Sequence, residues 1–131
     1  MKIQTKMLLI KKRTGQGIRD MASWLKLPGW RVNRFYEEHD GVSLTEEAVA
    51  EINTAFRETI IDKPLTWKER MHMMRKEIGR KYVETAFDGK FNFYNVANGK
   101  ALNKYEQTLR KLAPLSGLVL TDEVIDERFN S

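Results

Sequence analysis

Apolar residues recur at spacings of three and four along most segments of this 131-residue chain, and glycine or proline repeatedly cuts the pattern short. That combination predicts short amphipathic helices rather than strands or one long rod. The expected fold class is mainly α. From Ile18 to Leu25 the apolar positions are Ile18, Met21, Ala22, Trp24 and Leu25, which fall on one side of a helix. Thr14-Gly15-Gln16-Gly17 is a turn before it, and Leu27-Pro28-Gly29 interrupts it. Pro28 suits the first turn of a next helix running to about Glu38, with Val32 and Phe35 inward. The segment Met7–Lys12 fits either a short first helix or an edge strand.

Ser43-Leu44-Thr45-Glu46 has the spacing of a capping box, with Ser43 as cap. The stripe Ala48, Val49, Ile52, Phe56 and Ile60 follows it. A second box, Thr66-Trp67-Lys68-Glu69, opens the longest predicted helix, to about Phe87. Trp67, Met71, Met74, Ile78 and Tyr82 share its inner stripe, and Gly79 marks close packing or a kink. Phe91-Asn92-Phe93-Tyr94 reads as a short extended piece. Asn98-Gly99 precedes a helix with Leu102, Tyr105, Leu109 and Leu112 inward. Thr121 suits the cap of a short acidic helix. No internal repeat or flexible linker is visible. The charge changes sign near Asp62–Leu65, which suggests a domain over residues 1–62 and a helical extension over 63–131.

Composition excludes several classes. With 41% hydrophobic residues the chain is too apolar to be disordered. It has no cysteine, so disulfides, thiolate catalysis and cysteine-ligated zinc are excluded. No apolar run reaches the ~18–20 residues of a membrane span, and Met7–Ile10 is too short for a signal-peptide core. A cytoplasmic protein without membrane contact is expected. Glu37-Glu38-His39-Asp40 is the densest polar cluster, but it ends a helix and reads as a solvated loop. No nucleotide-binding or hydrolase motif is present. The chain is therefore expected not to be an enzyme, with no catalytic residue, metal or cofactor.

The net charge of +5 is unevenly spread. Residues 1–43 carry nine basic against four acidic side chains, and residues 64–115 carry eleven against five. Acidic stretches follow each. A basic block taken alone is most often a solvated face, and two of them on a small chain bring a polyanionic partner level with that reading.

Ile18–Tyr36 carries the most information. It looks like a helix-turn-helix: Ala22 is small where two helices would cross, and Met21, Leu25, Leu27, Val32 and Phe35 line the inner faces. A plain structural hairpin of helices satisfies the same pattern. Asp20-Met21-Ala22, then Arg31-Val32-Asn33-Arg34-Phe35-Tyr36, then Val42-Ser43-Leu44-Thr45-Glu46 resemble the reading domain of the lactose-repressor family. Gly15-Gln16-Gly17-Ile18-Arg19-Asp20-Met21-Ala22 is similar to the N-terminal domain of insertion-sequence transposases and resolvases. The resemblance spans about residues 7–56. It departs from both families at the turn, where Lys26 stands in place of glycine. It implies an N-terminal helix-turn-helix domain of three to four helices. The corresponding function is a sequence-specific DNA-binding protein, a transcriptional regulator or accessory factor of a phage, plasmid or other mobile element.

On that footing the second helix presents Gly29, Trp30, Asn33 and Arg34 to bases. Asn33 suits adenine, Arg34 suits guanine, and Trp30 would touch a thymine methyl or a sugar, or else pack in the core. Lys11, Lys12, Arg13, Arg19, Lys26 and Arg31 would meet phosphates, or face water. Arg75, Lys76, Arg80 and Lys81 form a second basic patch that either extends the footprint or is solvated. One such motif reads few base pairs, so a homodimer on double-stranded DNA is the usual solution. Two alternatives remain: a helical module that binds and modulates a host protein, and RNA binding with Phe91, Phe93 and Tyr94 stacked on bases.

Overall fold

Every regular element among the described residues, 1–130, is a helix. The computed structural model divides into two compact units, Met1–Pro64 and the residues from Leu65 onward. Among the described residues no helix is long and apolar enough to cross a membrane.

The first unit holds α1 (Ile3–Thr14), α2 (Ile18–Leu25), α3 (Gly29–Tyr36) and α4 (Glu46–Ile60). The segment read as helix or strand is thus helical. It stops at Gly15, whose φ of 74° gives the left-handed turn that glycine enters freely. α1 packs on α4 and α3, and α2 packs on α3. Met7, Ile10, Met21, Ala22, Leu25, Val32 and Ile52 meet in one core. Met7, Met21, Val32 and Ile52 are fully buried, and each such side chain contributes about 1.5–3 kcal/mol.

Three residues join α2 to α3. Lys26 takes the left-handed conformation, φ 58° and ψ 41°. The Leu27 amide then reaches back to the Ala22 carbonyl at 3.1 Å, closing the helix end. Pro28 sits just before the first helical residue rather than within the first turn. The cap of α4 also differs from expectation. Thr45, not Ser43, is the capping residue, and its hydroxyl accepts from the Ala48 amide at 3.1 Å. Thr45 immediately precedes the first helical residue, whereas the Ser43 carbonyl accepts from Arg31 instead.

The second unit holds α5 (Trp67–Ile78), α6 (Arg80–Ala86), α7 (Lys90–Ala97), α8 (Glu106–Leu112), a 3-10 segment (Ala113–Val119) and α9 (Asp122–Phe129). The Thr66–Glu69 capping box forms: the Thr66 hydroxyl accepts from the Glu69 amide, and the Glu69 carboxylate accepts from the Thr66 amide. The helix expected to run on to Phe87 breaks at Gly79, at φ 133° and ψ 126°. Side-chain-bearing residues rarely enter that region. The break turns Tyr82 off the inner stripe, and it is 56% exposed. Met71, Met74, Val83, Phe87, Phe93, Leu109 and Leu112 form the core, and the Phe87 and Phe93 rings meet edge-on at 5.7 Å.

Phe91–Tyr94 is helical rather than extended. Gly89 starts the helix at φ 122°. Phe93, Val96 and Ala97 are then buried at three- and four-residue spacing. The helix expected after Gly99 begins only at Glu106, because Gly99 and Ala101 hold φ of 84° and 54°. Thr121 caps α9 as expected, accepting from the Val124 amide.

Candidate nucleic-acid interface

α3 turns Val32 and Tyr36 into the core. Trp30 lies two residues before Val32, about 200° round the helix, and therefore points the other way. It is 60% exposed, so core packing does not account for it. Gly29, Asn33 and Arg34 share its exposure. The Arg34 guanidinium lies 5.5 Å from the Trp30 ring centroid. This i,i+4 stacking holds a flat cation beside a flat apolar ring on an outward face.

Cations border that face. The Lys11 ammonium lies 5.4 Å from the ring centroid of Tyr36, at the C-terminal end of α3. Arg31 donates through Nε to the Ser43 carbonyl at 2.9 Å, which ties it to the chain leading into α4. Lys12, Arg19 and Lys26 are exposed. The Asp20 carboxylate accepts from the Gly17 amide at the start of α2. The C-terminal end of α3 is anchored by an ion pair of Lys2 with Glu38 at 2.8 Å and by Gln4 donating to the Phe35 carbonyl.

Arg13 behaves differently from its neighbours. Its guanidinium donates to the Lys63 and Pro64 carbonyls at 2.9 and 2.8 Å, beyond the end of α4. It is half-buried there, so it braces the unit instead of joining the phosphate contacts.

The second basic patch is divided in the same way. The Arg75 side chain is only 14% exposed. Its guanidinium lies 4.6 Å from the Phe93 ring centroid and 5.2 Å from that of Tyr94. Its Nη1 stands 3.7 Å from Glu84 Oε1, and its Nη2 donates to His72 Nδ1 at 3.1 Å. Arg75 is thus a packing residue. Lys76 is half-buried, whereas Arg80 and Lys81 are exposed; Arg80 shares the Glu84 carboxylate. Phe93 is fully buried and cannot stack on a base.

An open groove of about 680 Å³ lies between α1, α2 and α4, with Ile10, Trp24 and Ala55 in its wall and Glu51 and Glu58 beside them. No residue of α3 lines it. Its carboxylates would repel a nucleic acid.

Compared with known family models, curated proteins and solved structures, the chain matches none. Sequence marks Phe91, Phe93 and Tyr94 as possible stacking residues but as an extended piece, so their division between the two faces of α7 is not legible from that reading. The signal was present in the spacing of Phe93, Val96 and Ala97.

Proposed function

We propose that the chain is a sequence-specific DNA-binding protein whose first unit is a helix-turn-helix domain. It would serve as a transcriptional regulator or accessory factor of a mobile element. One observation carries this reading. The outward face of α3 presents Trp30, Asn33 and Arg34 together, next to a three-residue turn with a left-handed residue at Lys26. That is where the resembling families place glycine, and the backbone conformation is the one glycine would supply.

In this reading α3 enters the major groove. Asn33 pairs with an adenine edge, and Arg34 pairs with a guanine edge in an orientation limited by Trp30. Trp30 meets a thymine methyl or sugar. Lys11, Lys12, Arg19, Lys26 and Arg31 contact phosphates and fix the register. The test is a fluorescence-anisotropy titration of the full chain against random duplex DNA over a salt series. Affinity should fall steeply as salt rises. Absence of binding at low salt would overturn the proposal.

The groove beside Glu51 and Glu58 favours a second reading, a helical module that seats a basic amphipathic segment of a host protein. It predicts capture of one such protein without any shift of DNA.

A further inference from the structure

The first three helices of the second unit follow those of the first in length, although the sequence shows no repeat; one residue rather than three separates the first two, and α8, a 3-10 segment and α9 follow where the first unit has α4 alone. α1 and α5 each span 12 residues, α2 and α6 span 8 and 7, and α3 and α7 span 8 each. Three residues separate α2 from α3, and three separate α6 from α7. The two turns close alike. Lys26 and Asp88 are left-handed at φ 58° and 60°. The next amide, of Leu27 or Gly89, bonds to the carbonyl five residues back, on Ala22 or Glu84.

α3 and α7 also end alike. Glu38 and Gly99 are left-handed, and the following amides bond to the Arg34 and Asn95 carbonyls. Aligned from their first residues, the helices expose and bury corresponding positions. Trp30 matches Phe91, and these are 60% and 76% exposed. Val32 matches Phe93, and both are fully buried. Asn33 and Arg34, both exposed, match Tyr94 and Asn95, which are half-buried, so these two positions correspond only in part. Glu37 matches Asn98, and both are exposed.

The charge of the α7 segment suits DNA as well. From Lys90 to Lys104 there is no acidic side chain, and both Lys90 and Lys100 are exposed. Phe91, 76% exposed, leaves its ring open to a partner at the start of this outward face. Amides beside it on a cationic helix fit base edges better than they fit a protein core.

We infer that α6 and α7 form a second DNA-reading helix pair, with Phe91, Tyr94, Asn95 and Asn98 facing bases and Lys90 and Lys100 facing phosphates. The inference rests on the DNA-binding reading of the first unit. One chain then carries two reading helices, and its recognition site has two unlike blocks. Dimerisation, the usual route to a longer site, is not required.

The test is selection of binding sites from a randomised duplex pool by the full chain, followed by sedimentation of the purified complex. Wild type should select two blocks and bind as one chain per site. Arg34→Ala should erase the information in one block. Asn95→Ala and Phe91→Ala should each erase it in the other, with about a tenfold loss of discrimination there. Phe91 is exposed, so Phe91→Ala should leave the circular dichroism spectrum unchanged and serves as the fold-neutral variant. Lys90→Gln should lower the salt slope by about 1. A single block, a palindrome bound by two chains, or α7 variants that select the wild-type site would overturn the inference while DNA binding stands. A wild type that binds no DNA would overturn the first-unit proposal and this one together.

Discussion

Lys26 and Asp88 share a left-handed backbone in two helix-ending turns, at φ 58° and 60°, each just before the amide that bonds five residues back. The conformation costs most L-residues about 1–2 kcal/mol, and aspartate tolerates it better. Glycine would remove that cost but returns about 0.5–1 kcal/mol through the entropy of the unfolded chain. Lys26→Gly should therefore stabilise the protein by roughly 0.5–1 kcal/mol, and Asp88→Gly by less. Urea midpoints for the two variants check the order. Destabilisation by Lys26→Gly would contradict the turn.

Gly79 separates α5 from α6 at φ 133°, and a Cβ added there would meet nothing within 4 Å. The cost of Gly79→Ala is thus backbone strain alone, about 1–3 kcal/mol. Gly29→Ala, in an equally open position without positive φ, should cost nothing measurable. Thermal unfolding of both variants separates strain from crowding.

Gly79 also shows where sequence reasoning stopped. The stripe Trp67, Met71, Met74 and Ile78 is correct up to the glycine, and periodicity simply continues through it to Tyr82. A kink and a close contact leave the same trace in a sequence. Phe91–Tyr94 failed for a related reason. Four residues with three aromatics look extended, and the helix emerges only when Val96 and Ala97 are counted with Phe93. The α3 face was legible because Val32 alternates with Asn33 and Arg34 at helical spacing. Arg13 and Arg75 were not, since a guanidinium drawn to distant carbonyls or rings leaves no local pattern.

Arg13 and Lys12 are adjacent yet should fail differently. Arg13 donates to carbonyls of Lys63 and Pro64, and hydrogen bonds from a charged group contribute about 1.5–3 kcal/mol. Arg13→Ala should lower stability by about 1–2 kcal/mol, discounted for partial exposure, and leave the salt slope of DNA binding unchanged. Lys12→Ala should change stability by under about 1 kcal/mol and lower that slope by about 1. Denaturation and salt-series titrations of both variants decide it.

Arg75 holds the Tyr94 phenol below its ordinary value of 10.0, by hydrogen bonding to the oxygen and then by its charge, with Lys90 and Arg80 assisting and burial opposing. The folded chain thus favours the phenolate. Its stabilising effect is complete above the unfolded value, about 10, and is lost as pH falls through the folded value. Arg75→Leu should move the Tyr94 titration, followed by NMR of the labelled ring, up towards about 10. The same variant should lose the alkaline gain in urea midpoint. An unmoved titration would show that Arg75 does not act on Tyr94.

Trp30 and Arg34 stack on the exposed side of α3, so neither should matter much to folding. Each alanine variant should change stability by under about 1 kcal/mol. Their effects on binding should be coupled. Arg34→Ala removes a bidentate contact and should cost about 1–3 kcal/mol of discrimination at one guanine. Trp30→Ala leaves the guanidinium in place but releases it, so part of the same discrimination should vanish. The double variant should then lose less than the sum of the two single losses, because part of the ring's effect runs through the cation it holds. Arg34→Lys keeps the charge and should preserve the salt slope while losing the guanine preference. Competition titrations against single-base variants of the selected site measure all four proteins. Strict additivity in the cycle would mean that Trp30 contacts DNA independently of Arg34.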